Sequence, residues 1–349
     1  MKRMRIDFGA SENISFIKEG CAGIVKLTRP SALNALNHQM VLSLTKALET
    51  WAIDDDVLCV LIEGEGRAFC AGGDVVEIYR MGPIDSSYQY FSDEYRLNAY
   101  IKDFPKPYIS FLNGIWMGGG VGISVYGSHR IVTENTLFAM PESAIGFFPD
   151  AGASFFLPPI PSHFGVYLAL TGACIKWGDC LNLGLATHAV PECSLNTIRK
   201  AIVEQGDPTP ALKKQAITRD YETSSEIRYV IDTCFGVSTL EKCMELLCKK
   251  ELTFTKECYN TLQLRSPISL KIAWRQMKQS SPQTLKECVK IENRIAHHMI
   301  NNHDFYEGVR AILIDKDRKP KWQLDKLSAV TNEIIESYFH PVEKELFLS

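Results

Sequence analysis

Two carboxylates in an apolar stretch are the first residues whose types and spacing could do chemistry. Glu142 and Asp150 stand eight positions apart, each directly after a proline, within the segment Phe138–Gly152. Apolar surroundings disfavour the ionised form and raise the pKa of a carboxyl group toward values useful for acid–base work. Asp150 also suits the N-cap of a helix over Ala153–Leu157, and both roles stay open for it. Glu142 could be a turn residue, but burying an acid there without a purpose is costly, which favours a functional role.

Two glycine-rich segments could supply main-chain hydrogen-bond donors. Residues 66–74 follow the strand-like stretch Val57–Glu63, and residues 113–122 follow Tyr108–Leu112. Small residues just past a strand let a ligand approach the backbone and expose its N–H groups. A helix is expected just after the triplet Gly118-Gly119-Gly120, and the free amides and dipole of its first turn would favour negative charge. Together with the carboxylate pair, the two segments indicate acyl chemistry, with one N–H group from each holding a developing oxyanion.

Other interpretations of these segments are open but have less support. Residues 66–74 alone favour a tight turn in which Asp74 caps a helix. The second segment lacks a dinucleotide fingerprint, because Ile123 stands where the third glycine would be, and it has no P-loop lysine. Ser124 lies in a Gly-to-Gly stretch one residue too long for a nucleophile elbow. Cys70 has no evident histidine partner that would make it a thiolate nucleophile.

Composition excludes several classes of protein. The chain has 349 residues, 46% of them hydrophobic and 23% charged, with a net charge of −3. This length supports about two domains and a large core. The balanced charge argues against a nucleic-acid partner, and no apolar run approaches the roughly 18 residues of a membrane span. Eleven scattered cysteines indicate a reducing compartment and small buried thiols, rather than disulfides or a metal site. No secretory signal is evident, and early acidic residues argue against a presequence, so the cytoplasm is expected.

Strand and helix patterns alternate in the first half of the chain, which predicts right-handed βαβ crossovers and a parallel sheet. Strands are predicted at Ala22–Leu27, Val57–Glu63, Tyr108–Leu112 and Arg130–Thr133. Helices are predicted after the N-cap Asn37 and at Tyr88–Lys102, Thr239–Lys249, Leu285–Ile300 and Thr331–Phe339. Helical patterns dominate from about Thr197, and Pro208 and Pro210 mark the expected linker. We therefore expect a catalytic core over residues 1–200 and a mainly helical region over residues 201–349.

Several of these stretches resemble a known superfamily. Ala68–Asp74 and Asn113–Gly120 resemble the two oxyanion-hole segments of the crotonase (enoyl-CoA hydratase/isomerase) superfamily, and Arg29-Pro30 with Asn34–Asn37 resembles its CoA-binding segment. A closer resemblance, to the 3-hydroxyisobutyryl-CoA hydrolase family, extends over nearly the whole chain. It is carried by Met117–Ser124, Leu137–Pro149, Ala169–Gly172, Ser266–Lys271 and His303–Trp322.

The resemblance implies a fold and a function. The fold would be an α/β crotonase-like spiral of ββα units with a helical C-terminal region. The reaction would be hydrolysis of a short 3-hydroxyacyl-CoA thioester in valine breakdown. No metal or cofactor is implied, since CoA is part of the substrate. The partner would be acyl-CoA, with no nucleic acid or membrane, and a homo-oligomer is compatible with the family. In a eukaryote the location would be the mitochondrial matrix.

The resemblance also implies a role for individual residues. The N–H groups of Gly73 and Gly119 would form the oxyanion hole, Glu142 would be the catalytic glutamate, and Asp150 would be the second acid of the site. Substrate contacts are implied for Glu94, Ala71, Gly72 and Gly118. For Glu94, a place on a solvated helix face remains an alternative.

One departure from the superfamily pattern separates two reactions. Hydratases carry a glutamate two residues after the glycine triplet, where this chain has Gly122. Asp150 occupies a position that is usually glycine in hydratases. Losing one acid and gaining another favours thioester hydrolysis over addition of water to a double bond. The alternatives are an enoyl-CoA hydratase or isomerase, and a non-catalytic CoA-binding module.

Overall fold

A computed structural model describes residues 3–10, 12–278 and 283–348. The strands are β1 (Arg3–Ile6), β2 (Ile14–Glu19), β3 (Ala22–Leu27), β4 (Cys59–Gly64), β5 (Ala68–Cys70), β6 (Tyr108–Leu112), β7 (Ile115–Met117), β8 (His129–Val132), β9 (Leu137–Ala139) and β10 (His188–Ala189). The helices are α1 (His38–Ala52), α2 (Val75–Met81), α3 (Asp85–Lys102), α4 (Gly119–Gly122), α5 (Ala153–Phe156), α6 (Phe164–Thr171), α7 (Trp177–Asn182), α8 (Leu195–Gln205), α9 (Thr209–Gln215), α10 (Ser225–Phe235), α11 (Leu240–Lys249), α12 (Thr253–Gln263), α13 (Pro267–Met277), α14 (Leu285–Met299), α15 (His303–Val309) and α16 (Asn332–Ser337).

The main sheet has seven strands in the order β1-β2-β3-β4-β6-β8-β10. The pairs from β3 to β10 are parallel, which confirms the predicted parallel sheet. The pairs β1–β2 and β2–β3 are antiparallel, because each connection has too few residues for the crossover that parallel strands need. Strands β3 and β6 match the predicted ranges, while β4 and β8 begin two residues later and one residue earlier than predicted. A smaller sheet pairs β5, β7 and β9.

One face of the parallel sheet packs on helix α8. The buried side chains alternate along the strands, as expected for residues that face one side of a pleated sheet. They come from the strands at Ala22, Ile24, Cys59, Leu61, Ile109, Phe111 and Ile131, and from the helix at Ile198, Ile202 and Val203. Helix α8 therefore covers one face of these strands.

Helix caps fix where the predicted helices begin. Asn37 accepts a hydrogen bond from the Met40 amide at 2.9 Å, which confirms it as the N-cap of α1. Thr239 and Thr331 cap α11 and α16 in the same way, each one residue outside the helix. Helix α14 opens with a capping box in which Thr284 and Glu287 satisfy each other's backbone amides. The predicted C-terminal helices are confirmed within three residues at each end.

Two expectations about local structure differ from what is observed. The expected linker at Pro208 and Pro210 is the ordered start of α9, because proline fits the first turn of a helix. The helix expected after the glycine triplet begins inside it, at Gly119, and ends at Gly122. A single turn has only a small dipole, so individual amides of this turn matter more than its helix field.

The chain divides into two compact units that alternate along the sequence. The first unit holds Met1–Asp74, Arg96–Phe138 and Ile175–Glu222. The second unit holds Val75–Tyr95, Ala139–Cys174 and Thr223–Ser349. The division into two regions at residue 200, which composition predicts, stays a prediction.

Candidate active site

Gly73 lies in the first unit, where the backbone after β5 pairs with an earlier loop. Leu36 and Gly73 form an isolated parallel bridge. The Leu36 amide donates to the Gly72 carbonyl, and the Asp74 amide donates to the Leu36 carbonyl, both at 2.8 Å. In a parallel bridge these flanking groups make the hydrogen bonds, so the N–H group of Gly73 points away from Leu36. The Ala71 amide donates to the Leu33 carbonyl at 3.0 Å, which completes the pairing of the two loops.

The second glycine segment lies against the first. A side chain added at Gly72 would stand 3.6 Å from the Gly119 amide nitrogen and 3.6 Å from the Gly118 Cα atom. Gly119 is the first residue of α4, so its N–H group has no acceptor within the helix. The structure thus brings together the two segments that the sequence analysis singled out.

Close packing explains the third glycine of the triplet. A Cβ atom at Gly120 would lie 2.5 Å from the Cys70 carbonyl oxygen, which real side chains do not tolerate. Cys70 is buried, and its thiol donates to the Gly72 carbonyl. Ser124 accepts from the Trp116 indole at 2.8 Å and donates to the Gly120 carbonyl at 2.7 Å. Both residues that could have been nucleophiles are therefore engaged in holding the segment together.

Asp74 forms an ion pair at the end of the first segment. Its carboxylate accepts from Arg29 at 2.6 Å, and the same guanidinium group donates to the Ala35 carbonyl. Helix α2 begins at the next residue, Val75. The pairing ties the residues after Gly73 to the loop that carries Leu36.

Three predicted carboxylates are buried in the second unit. Glu94 lies on α3, Glu142 begins a 3₁₀ turn over Glu142–Ile145, and Asp150 lies in the loop before α5. The exposed fractions of Glu94, Glu142 and Asp150 are 1%, 7% and 6%. The solvated helix face considered for Glu94 is therefore wrong. The amphipathic pattern of α3 did not reveal this, because its buried face carries several polar side chains.

Glu142 and Glu94 each keep one carboxylate oxygen without a protein partner. Among the described residues, Glu142 Oε2 and Glu94 Oε1 are buried and accept no hydrogen bond. Burial raises the pKa of Glu142 well above its ordinary value, and the negative charge of Asp150 raises it further. Burial and the charge of Asp150 likewise raise the pKa of Glu94, while a hydrogen bond with Tyr90 opposes the rise. Buried acceptors that the protein leaves open are what a substrate could satisfy.

Asp150 is held by a buried tyrosine and does not cap a helix. The Tyr95 hydroxyl donates to Asp150 Oδ2 at 2.8 Å. The N-cap of α5 is Gly152, which has no side chain that could accept hydrogen bonds from the amides of the first turn. The N-cap role considered for Asp150 is therefore wrong. Burial raises the pKa of Asp150 to about 7, and the Tyr95 hydrogen bond limits the rise. Carboxyl groups of this kind can exchange a proton near neutral pH.

Comparison with known proteins places these features in a family. Residues 22–339 match the profile described as enoyl-CoA hydratase/isomerase. The chain is 41% identical to a mitochondrial 3-hydroxyisobutyryl-CoA hydrolase of Xenopus laevis, over 92% of this chain and 87% of that protein. It is 37% identical to the human mitochondrial 3-hydroxyisobutyryl-CoA hydrolase, over 97% of this chain and 91% of that protein. A crystal structure of a carnitinyl-CoA dehydratase from Mycobacterium thermoresistibile is also similar, with 37% identity, a TM-score of 0.90 and coverage of 97% and 99% of the two chains.

The chain belongs to the enoyl-CoA hydratase/isomerase family, in its 3-hydroxyisobutyryl-CoA hydrolase branch. The predicted resemblance and the crotonase-like fold are thereby confirmed. In this family member, Gly122 is the buried last residue of α4. No carboxylate therefore stands at the position where the family's hydratases carry their first glutamate.

Glu94, Glu142, Asp150 and Glu292 form a carboxylate cluster in this family member, and Tyr95 donates a hydrogen bond to it. The sequence pattern alone did not predict the parts of Tyr95 and Glu292. Glu292 lies on α14 and is fully buried, and burial raises its pKa to about 8. A signal was present in the sequence. Leu285, Val289 and Ala296 recur at helical spacing on the buried face of the predicted helix, and Glu292 falls on that same face. An acid at a core position of an amphipathic helix indicates a role that the surface acids do not have.

The residues that the structure describes contain neither a cluster of metal ligands nor a helix suited to cross a membrane. In the parts of the chain that the structure describes, no group of three or more histidine, cysteine, aspartate or glutamate side chains could hold a metal ion. None of the helices formed by the described residues is both long and apolar enough to span a bilayer. All eleven cysteines lie within the described ranges and are free thiols.

Proposed function

We propose that this chain hydrolyses 3-hydroxyisobutyryl-CoA to 3-hydroxyisobutyrate and free CoA, a step of valine breakdown. Similarity to proteins named 3-hydroxyisobutyryl-CoA hydrolases over more than nine-tenths of the chain carries this proposal. The buried Glu142 and Asp150 support it, since thioester hydrolysis needs a base and an acid near the carbonyl group. The residue roles below are part of the proposal.

The carbonyl oxygen of the thioester accepts hydrogen bonds from the amides of Gly73 and Gly119. These donors stabilise the negative charge that develops when the carbonyl carbon becomes tetrahedral, and one such donor is typically worth about 10²–10³ in rate. Ala71, Gly72 and Gly118 form the backbone around this oxygen. Their small size lets the acyl group approach the main chain.

Glu142 acts on the carbonyl carbon by one of two routes. In the first route its carboxylate attacks the carbon, expels the CoA thiolate and forms an anhydride, which water then hydrolyses. In the second route it takes a proton from a water molecule that attacks directly. Both routes need the ionised form of Glu142, and both need a carboxylate oxygen that no protein group occupies. Among the described residues Glu142 Oε2 has no hydrogen-bond partner and can take this role. Asp150 orients the substrate hydroxyl or the water and handles the proton for the leaving thiol, while Glu94 contacts the far end of the substrate.

A free-CoA release assay tests the proposal. The panel contains 3-hydroxyisobutyryl-CoA, 3-hydroxypropionyl-CoA, a saturated ester and crotonyl-CoA, with the thiol trapped by a chromogenic reagent. We expect release from the 3-hydroxyacyl esters and little from the others. No release from any ester would contradict the proposed function.

Glu142→Gln is the decisive variant. Because glutamine can neither attack the carbonyl carbon nor accept a proton, we expect turnover to fall by at least about 10³-fold while binding of the CoA ester survives. Glu63→Gln is the matched control, since Glu63 is another largely buried glutamate but lies on β4 beside Arg199, 3.7 Å away. The control should retain near-normal turnover. Near-normal turnover in Glu142→Gln would refute the role of Glu142.

A hydratase or dehydratase is the second candidate function. The similarity to the carnitinyl-CoA dehydratase structure favours it, whereas the missing glutamate at Gly122 argues against it. Incubation with crotonyl-CoA separates the two reactions. Hydration removes the absorbance of the conjugated thioester without releasing a thiol, while hydrolysis releases the thiol.

The proposal requires no metal and no separate cofactor, because CoA enters as part of the substrate. Turnover should therefore survive dialysis against a chelator. The proposed partner is an acyl-CoA ester, with no nucleic acid and no membrane surface, and a homo-oligomer is compatible with this reaction. The proposed location is the cytoplasm, or the mitochondrial matrix in a eukaryotic cell. Several relatives have the word mitochondrial in their names.

A further inference from the structure

Glu292 makes an unusual set of hydrogen bonds for a fully buried acid. Its Oε2 atom accepts from the Gly152 amide at 2.6 Å. Its Oε1 atom accepts from the Ser154 amide at 3.0 Å and from the Ser154 hydroxyl at 2.6 Å. All three partners donate, so both oxygens act only as acceptors. These three hydrogen bonds favour the ionised form of Glu292 and oppose the effect of burial, which raises its pKa to about 8.

The donors belong to the turn that directly follows Asp150. Ala151 and Gly152 have φ angles of 55° and 82°, so two successive residues adopt the left-handed conformation. This conformation is costly for alanine and persists only where surrounding contacts hold it. Helix α5 then begins, and Gly152 has no side chain to accept the amides of the first turn. Glu292 supplies these acceptors from a helix more than a hundred residues later in the sequence.

We propose that Glu292 is a positioning residue that fixes Asp150 for catalysis by clamping the turn Ala151–Gly152. Asp150 has two supports in this arrangement. The Tyr95 hydroxyl holds its carboxylate, and Glu292 holds the backbone that follows it. This inference rests on the proposed function, in which Asp150 acts on the substrate. It adds a residue from the C-terminal helices to the site.

The charge of Glu292 gives the clamp a second effect. Among the described residues, the titratable groups that interact electrostatically with Glu292 are Asp150, Glu142, Tyr95 and Cys288. The negative charge on Glu292 raises the pKa of Glu142 and of Tyr95. The Ser154 and Gly152 donors oppose the effect of burial on Glu292 itself. Removing the charge should therefore lower the pKa of Glu142.

Glu292→Gln tests both effects on the full-length protein. Glutamine keeps the volume but offers one acceptor oxygen instead of two and no charge. We expect kcat for 3-hydroxyisobutyryl-CoA to fall by about 10²-fold, because small displacements of a catalytic group have costs of this size. KM should stay within about twofold. The acidic limb of the kcat–pH profile should move to lower pH, a change that a merely structural role would not produce.

Ser154 offers a milder test in case Glu292→Gln fails to fold. Ser154→Ala removes one donor to the carboxylate, and Ser154→Thr retains the hydroxyl. We expect Ser154→Ala to lower kcat by about tenfold and Ser154→Thr to restore most of it. Hydrogen exchange at the Gly152 and Ser154 amides, measured without substrate, should quicken in Glu292→Gln and in Ser154→Ala.

Glu287→Gln is the matched control on the same helix. Glu287 belongs to the exposed capping box of α14, so its loss should lower the melting temperature without changing kcat or the pH profile. Normal kcat and an unmoved pH profile in Glu292→Gln would overturn the proposal, as would unchanged exchange at Gly152 and Ser154. Wild-type protein that releases no CoA would instead refute the proposed function, and the exchange data would then decide on the clamp alone.

Discussion

Tyr95 shows how a neutral residue can set the chemistry of an acid. It is fully buried, and its hydroxyl donates to Asp150. A hydrogen bond to the charged form of a carboxyl group stabilises that form and lowers its pKa. Burial acts in the opposite direction, so the pKa of about 7 for Asp150 is a balance between the two. Glu292 and Tyr95 thus shift the carboxyl groups of the cluster in opposite directions.

Tyr95→Phe should move the basic limb of the kcat–pH profile to higher pH, because Asp150, the proposed proton donor to the leaving thiol, loses the hydrogen bond that favours its ionised form. We expect kcat to fall about tenfold at neutral pH, in line with about 1.5 kcal/mol for a hydrogen bond to a charged group. Tyr108→Phe is the matched control. Tyr108 is equally buried, but its hydroxyl donates to the Ile123 carbonyl on a different segment. A limb that does not move in Tyr95→Phe, or that moves equally in the control, would contradict this account.

At the scale of elements, the packing of helix α4 on strand β5 fixes the position of the glycine segment that contains Gly119. Helix α4 lies so close to β5 that Gly120 has no room for a side chain beside Cys70. Gly119, whose amide is the proposed donor, is the preceding residue. Helix α4 and strand β5 can therefore pack this closely because Gly120 has a hydrogen atom where other residues have a side chain.

Gly120→Ala should separate α4 from β5, since the methyl group would meet a carbonyl oxygen at 2.5 Å. We expect a loss of about 1–3 kcal/mol in unfolding free energy, as for other overpacked sites, and a fall in kcat of at least tenfold. Val121→Ala is the control, because it removes volume from the next buried position without pushing on β5. Denaturant melts and CoA release are measured on both. Full activity in Gly120→Ala would show that this spacing does not matter.

At the scale of the whole molecule, the buried acids lower the free energy of unfolding at pH values where they are ionised. Glu94, Glu142, Asp150 and Glu292 all have raised pKa values because burial disfavours their ionised forms. The folded protein holds these protons more tightly than the unfolded chain does. Their contribution to stability is therefore complete below the unfolded pKa and is lost as the pH rises through the raised values. Stability lost in this way at a functional site is a common trade-off.

Glu142→Gln should consequently be more stable than the wild type at pH 8 and about equally stable near pH 4. Each unit of raised pKa corresponds to about 1.4 kcal/mol, so the gain at pH 8 should be visible as a higher melting temperature. Glu287→Gln should behave oppositely. The Thr284 amide lowers the pKa of Glu287, and a lowered pKa contributes stability that is present above the unfolded pKa. Thermal melts across this pH range measure both variants, and a Glu142→Gln variant less stable than the wild type at pH 8 would refute the argument.

The sequence by itself determined the parts of this protein that rest on local pattern. Short β-branched runs bounded by glycine, proline or charge predicted strands such as Ala22–Leu27, and apolar residues at helical spacing predicted the capped helix after Asn37. Glycine spacing and two prolines predicted the two donor segments and the acids Glu142 and Asp150.

Only the tertiary structure decided which of these residues meet. The Tyr95–Asp150 hydrogen bond joins residues 55 positions apart, and the hydrogen bonds to Glu292 join residues about 140 positions apart. The burial of Glu94 was likewise decided by tertiary packing. Local sequence pattern does not show which distant residues will meet, because it reports only the environment of neighbouring positions. The alternative of a helix cap for Asp150 was excluded in the same way. A carboxylate can satisfy nearby amides or a distant hydroxyl, and the packing of α3 and α14 settled the choice.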